Sequence, residues 1–430
     1  MRKSFSYFCC VIALLAARVG LAASGEGEIV GAISLSRAEQ LMRENTPALR
    51  IARYAYEASN ADVVTAAEGP NPQLSINSSA IKYSEGSGPG TLWEKQIDSI
   101  VRVDQQIERG GKRGLRGKAA RAGEQAAAAD YADTLRTSRL NLAQAYFDLK
   151  FAQEAERIAA SLIEVQAQSL RAAQLRFKDG DIASVDFSRL QIEAARAEAN
   201  FSAARNQRRD AQLTLAQLLG LKDCLDNDCA ELQASDPWPA PLNDRALVDS
   251  SVRPDVRAAQ ARSEQAQANV ALAQAQRTRD VTVGVQFEHY PQPSTNANSV
   301  GVGFSVPLFL RHRYQGEIQR ANADRHVAEE TLRNVQLVAA SDRAHAAADL
   351  FGSRERLRHF EGSIVEKAKA AAEAAEYAYL RGALNLTDLL DARRAMQSVE
   401  LDELSAQTAY AKALAAWRAE TDTSAWTSAP

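Results

Sequence analysis

Aromatic residues are scarce in this chain. Phe, Trp and Tyr make up 6% of its 430 positions. Ala, Gln, Glu and Arg are abundant instead, a composition that favours long helices over a compact sheet enzyme. Excess charge is also missing. The formal net charge is −3, which argues against a nucleic-acid binder, since such a protein carries a basic excess or stripe. Beyond the N-terminus no run is apolar for the ~20 residues that a membrane helix needs. Histidine is limited to His289, His312, His326, His345 and His359. None of these forms an H-x-x-x-H or H-E-x-x-H pattern, so each reads as a surface or packing residue. No nucleophile, base or cofactor constellation appears, and no enzyme activity or cofactor is expected.

Cysteine is sparse too, and its placement is informative. Residues 1–22 read as a secretory signal: Arg2 and Lys3 are followed by the apolar "YFCCVIALLAA" and the small-residue site "GLA". Cys9 and Cys10 fall inside that apolar core and lack the context of a lipid anchor. Export leaves Cys224 and Cys229, in "KDCLDNDCAEL", in an oxidising compartment. A local disulfide is therefore expected. A metal site would need two more ligands nearby, and no His is close.

What remains is a duplication. The mature chain divides at "SDPWPAPLND", its one Pro-rich stretch, into a repeat over 33–222, a linker over 223–243 with the Cys pair, and a repeat over 244–422. Each repeat opens with helix patterns broken at Pro47 or Pro254, since Pro is tolerated in a first turn but not inside a helix. Two alternating segments follow. "DVTVGVQFEHY" and "SVGVGFSVPLF" show the period best; "PQLSINSSAIKY" and "DSIVRVDQQIE" are the weaker pair. A two-residue period predicts strands with one apolar and one polar face. Then come long helical tracts, from Glu124 to Asp179 and on to Leu219, and from beyond Gly316 to about Glu420. Gly352 and Gly362 weaken the second tract. Gly180 and Gly382, about two hundred residues apart, mark where each helical rod turns back.

Four two-faced strands cannot hide their apolar faces on polar helices. Segments of about ten alternating residues match outer-membrane strands. Lipid forbids open sheet edges, and four strands are too few to close a barrel, so several chains must contribute.

The sequence resembles the TolC-type outer-membrane efflux proteins over essentially the whole mature chain. The resemblance rests on the duplicated plan, on "VDQQIERGGKRGLRGKAA", on "FSVPLFLRHRYQGEI" and on both hairpins, most specifically "YLRGALNLTDLLDA". "IERGGKRGLR" is similar, more narrowly, to the branch serving heavy-metal pumps for cobalt, zinc, cadmium or nickel. Its glycines lack Walker spacing. The resemblance implies a mainly α fold with a β-barrel part: a homotrimer with a twelve-stranded outer-membrane barrel and a helical tunnel through the periplasm. It implies a periplasmic membrane-fusion adaptor and an inner-membrane cation pump of the RND type as partners, with outer-membrane lipid around the barrel. Tyr379, Asp388 and Asp391 would then form the constriction, the carboxylates as two stacked rings of three that attract cations. Leu384 stands where the family often has Arg. In the first hairpin Asp186 matches Asp388, but Arg189 replaces the second carboxylate, so Gly180, Asp186 and Gly382 are expected at adaptor-docking hairpins. The same duct could instead carry organic toxicants or secreted polypeptide. A periplasmic coiled-coil scaffold without a barrel is the reading of a different class.

Overall fold

The computed structural model describes residues 31–81, 91, 97–226, 232–242, 253–291 and 296–421. The expected signal, Cys9, Cys10, Cys229, most of the segment joining "PQLSINSSAIKY" to "DSIVRVDQQIE" and the helix pattern expected before Pro254 lie outside the described residues.

Two rods and one sheet make the fold. Helix α1 (Leu35–Asn45) is capped by Ser34, whose Oγ accepts from Arg37 N at 3.2 Å. Helix α2 (Pro47–Ala67) starts on its proline, as the pattern predicts. After the strands β2 (Gln73–Ser79) and β3 (Asp98–Ile107) comes α3 (Lys112–Lys178), 67 residues long. At 1.5 Å per residue it reaches about 100 Å. It begins twelve residues before Glu124, running straight through Gly114, Gly117 and Gly123. At Gly123 the neighbour is the amide end of Gln265 from the helix that opens the second repeat, 2.8 Å from where a Cβ would stand, which a side chain there would push aside.

Helix α4 (Ser184–Leu219) returns along α3, and the short α5 (Lys222–Asp226) follows. The second repeat gives α6 (Pro254–Ala275), β5 (Val281–Pro291), β6 (Asn296–Ser305), α7 (Gln315–His359), α8 (Val365–Leu380) and α9 (Leu386–Thr421). Gly352 stays helical, whereas Gly362 lies in a π-helical turn, Phe360–Ile364, between α7 and α8.

Residues 232–242 form a strap over the middle of the rod. A two-residue strand β1 (Ala32–Ile33) pairs in parallel with β4 (Gln233–Ala234). Two buried tyrosines grip the strap. The Tyr146 hydroxyl donates to Ile33 O and accepts from Ser235 N and Asp236 N, all near 3.0 Å. Burial raises the pKa of this phenol, keeping the donor proton in place. The Tyr410 hydroxyl accepts from Leu242 N at 2.8 Å and donates to Ala240 O. Trp238 stacks on Phe147, and its Nε1 donates to Glu154. Cys224 is disulfide-bonded.

Below the sheet, four helices meet at a buried ion network. Arg253 Nη1 reaches Glu420 at 2.7 Å and Asp342 at 2.9 Å, and Nη2 reaches Asp255 at 2.7 Å. The second oxygen of Glu420 takes Arg136 at 3.1 Å, itself held by Asp133 at 2.8 Å. Burial opposes the charge of Arg253. Its hydrogen bonds to Asp255 and Asp342, with the charge of Glu420, outweigh that and raise its pKa above the usual arginine value.

The sheet is antiparallel in the order β2-β3-β5-β6, with β2 and β6 as edges. One face carries Leu74, Val103, Val285 and Val302 in a row, then Ile76, Val101, Phe287 and Val300, all exposed. The other face carries Arg102, bonded to Asp104 at 2.9 Å and to Gln286 at 3.4 Å. Glycines form the floor beneath this cluster. A Cβ on Gly284 would overlap Asp104 Oδ1 and sit 2.8 Å from Arg102 Nη2. Gly284→Ala is therefore expected to break the Arg102–Asp104 pair and to cost about 1–3 kcal/mol. At Gly303 a Cβ would meet Arg102 Nη2 only at 3.3 Å. Thermal unfolding of the full chain should show a lower midpoint for Gly284→Ala than for Gly303→Ala.

Candidate constriction at the hairpin tips

The two hairpins end in the same turn. Gly180 has φ +84° and Gly382 φ +73°, left-handed values that cost a residue with a Cβ. Around Gly180, Asp181 N donates to Arg176 O at 2.8 Å and Gly180 N to Phe177 O at 3.2 Å. Around Gly382, Ala383 N donates to Ala378 O at 2.9 Å and Gly382 N to Tyr379 O at 3.0 Å. Both are Schellman closures, which satisfy the last carbonyls of α3 and α8.

Each turn launches the next helix with a carboxylate in its first turn, Asp186 in α4 and Asp388 in α9. A helix N-terminus favours negative charge there, so both positions also serve helix initiation. The second tip is better capped: Asn385 Oδ1 accepts from Asp388 N at 2.9 Å. Ala183 at the matching place offers no side-chain cap.

The tips pack on each other. Ala173, Leu190, Leu386, Leu389 and Leu390 are buried together, with Phe187, Tyr379 and Leu384 partly buried around them. Leu384 thus fills an apolar place where a cation was the commoner expectation. Arginines elsewhere tie the hairpins. Arg189 Nη1 donates to Thr387 Oγ1 at 3.0 Å and pairs with Asp186 at 3.4 Å. Arg394 spans Glu193 of α4 at 2.6 Å and Asp391 at 3.1 Å. Its pKa is raised, first by the hydrogen bond to Glu193. Arg176 Nη1 reaches the Tyr379 hydroxyl at 3.5 Å.

Asp388 and Asp391 share an exposed face of α9, three residues apart. They are not equivalent. Asp391 is held by Arg394, whereas Asp388 has no cationic partner among the described residues. Tyr379 joins the tip core and bonds Arg176 rather than either carboxylate. The pairing of Asp391 with Arg394 was readable from its i, i+3 spacing. The reach of Arg394 to Glu193 and of Arg189 to Thr387 was not, since those partners are about two hundred residues away in sequence.

The histidines are dispersed. His289 bonds Asn298 at 2.7 Å, His312 faces Glu317 and His326 faces Glu329. Among the described residues no three His, Cys, Asp or Glu side chains cluster as metal ligands would. No described helix is long and apolar enough to cross a membrane.

Comparison with known proteins places this architecture. The family described as "Outer membrane efflux protein" matches residues 39–221 and 250–420. The cobalt-zinc-cadmium resistance protein CzcC of Cupriavidus metallidurans is 25% identical over 406 residues, covering 92% of this chain and 94% of that protein. The outer-membrane channel OprN superposes with a TM-score of 0.73 at 24% identity, over 90% of this chain and 89% of its own. The CmeC outer membrane channel of Campylobacter jejuni gives 0.76 at 16% identity, over 90% and 85%. CusC, whose structures describe transmembrane channel formation, gives 0.71 at 15% identity, over 90% and 91%.

Proposed function

We propose a function from the premise that the chain belongs to the outer membrane efflux protein family: it is the outer-membrane duct of a tripartite pump that exports divalent heavy-metal cations. Three copies close a twelve-stranded barrel, and the repeats over 33–222 and 244–422 build a helical tunnel below it. The exposed apolar face of the four-stranded sheet carries this reading. Strands β3, β5 and β6 have 10, 11 and 10 residues, matching the ~9–11 of a tilted membrane strand. The edges β2 and β6 have no partner within the described sheet. An open edge is untenable in lipid, and repetition by a threefold axis joins β6 of one copy to β2 of the next.

Tyr379, Asp388 and Asp391 would narrow the inner end. The apolar residues exposed beside both turns, Leu175, Val185 and Leu380, would meet the adaptor with Gly180, Asp186 and Gly382. Metal as cargo is supported by the likeness to a cobalt-zinc-cadmium resistance protein. A duct needs no tight metal site, because conduction requires weak binding.

The test is metal tolerance. Deletion of the gene should sensitise its host to some of nickel, cobalt, zinc and cadmium while leaving dyes and detergents tolerated. Sensitivity confined to dyes and detergents would assign an organic cargo to the same duct. A protein that fractionates with the soluble periplasm would instead be a coiled-coil scaffold.

A further inference from the structure

The apolar row of β6 does not end where its ladder ends. Ser305, opposite Thr282, is the last paired residue. Val300, Val302 and Phe304 form the outward row; beyond the ladder Val306, Leu308 and Leu310 are exposed as well, and Leu310 N turns back onto Leu308 O at 3.0 Å. Leu308 and Leu310 are 71% and 79% exposed, as open as Phe304 at 73%. From Val300 to Val306 a strand rises about 20 Å, or ~14 Å once tilted by 45°, short of the ~25 Å apolar band of an outer-membrane barrel. The two leucines, turned out just past the end of the strand, add apolar surface on the periplasmic side.

Arg311, His312 and Arg313 follow at once, all exposed. His312 is engaged by Glu317 at 2.9 Å. Neither Arg311 nor Arg313 has a carboxylate partner among the described residues. Nearby, Arg279 lies 5.4 Å over the Phe309 ring. The matching junction of the first repeat is built differently. There Lys112 is bound to Asp280 at 2.9 Å and Arg116 to Glu108 at 2.5 Å, so those cations hold the strand-to-helix turn together. Among the described residues, Arg311 and Arg313 of the second junction tie no strand to a helix in this way.

We propose that Leu308–Arg313 is a binding site for anionic phospholipid in the periplasm-facing leaflet. Leu308 and Leu310 enter the acyl region, and Arg311 and Arg313 bind the phosphate diester of the headgroup. A guanidinium fits a phosphate bidentately, and each cation near an anionic membrane surface contributes about 1 kcal/mol. The site rests on the barrel reading above. Lipid is favoured over a second copy because the exposed leucines follow directly on the outward apolar row of β6, while a neighbouring copy joins at its edge.

The test uses the full chain. Carbonate extraction comes first: a wild type that washes off membranes sinks the barrel reading itself. Carbonate-resistant protein is then moved into nanodiscs of phosphatidylcholine with one fifth phosphatidylglycerol, and lipids retained on release are counted by native mass spectrometry. The wild type should retain phosphatidylglycerol in preference. Arg311→Gln with Arg313→Gln should lower that preference by about fivefold per arginine, the factor that ~1 kcal/mol sets. Arg311→Lys with Arg313→Lys should restore most of it. A preference equal in wild type and the Gln variant overturns the site. So does a Gln variant that loses trimers while its lipid ratio is unchanged, which would assign the patch to a neighbouring copy.

Discussion

Asp388→Ala is expected to raise about tenfold the concentration of a trivalent cation that half-blocks the channel in a planar bilayer. The carboxylate is exposed, and its charge is uncompensated among the described residues. In a threefold assembly one substitution removes three charges from one level. A tenfold change is ~1.4 kcal/mol, or roughly 0.5 kcal/mol per carboxylate, modest beside the ~1 kcal/mol of a close ion pair in water. Asp391→Ala should do less, near threefold, because Arg394 already neutralises much of that charge. Arg394→Ala should act in the opposite sense, freeing Asp391, leaving Glu193 to Arg196 and strengthening block. An unchanged block in Asp388→Ala would remove that residue from the constriction.

Arg253→Met is expected to be the most destabilising single change, costing about 3 kcal/mol. The side chain is buried, and three carboxylates depend on it: Asp255, Asp342 and Glu420. Removal leaves Glu420 buried with Arg136 alone and strips Asp255 of its partner. The penalty comes from uncompensated buried charge rather than from lost attraction, so the combined Arg253→Met, Glu420→Leu chain should lose less than the two singles together. Urea titration of the helical signal tests this through midpoints at unchanged slope. Additive losses would show that Arg253 and Glu420 do not act as a unit.

The parts of the fold legible in the sequence are those set by short-range pattern. Alternation placed Val281, Val283, Val285 and Phe287 on one face, and the ladder keeps them there. Gly180 and Gly382 marked the turns, because a left-handed residue is a local demand. The start of α3 was not legible. The expected tract began at Glu124, whereas α3 runs from Lys112 through glycines at 114, 117 and 123. The strap was hidden as well. Nothing near Tyr146 or Tyr410 in sequence announces that each will hold a backbone segment more than eighty residues away. At the tips, Asp388 and Asp391 were visible as a pair, with Arg394 three residues past Asp391, but the reach of Arg394 to Glu193 of the other hairpin was not.

The register of the sheet has a consequence for the order of synthesis. β3 pairs with β5, so Arg102 meets Gln286, 184 positions later. The β2–β3 hairpin therefore emerges long before its neighbour exists. A lone two-stranded hairpin is at best marginal in water, and its apolar face and open edge invite wrong pairing. The second hairpin covers one edge and leaves two others, β2 and β6, at the ends of a finished chain. In the proposed barrel, completion would then wait on meeting other finished chains, an intermolecular event whose rate rises with concentration. A cell making this protein must keep half-built sheets unpaired in transit, and scarcity of copies would slow maturation more steeply than it slows synthesis.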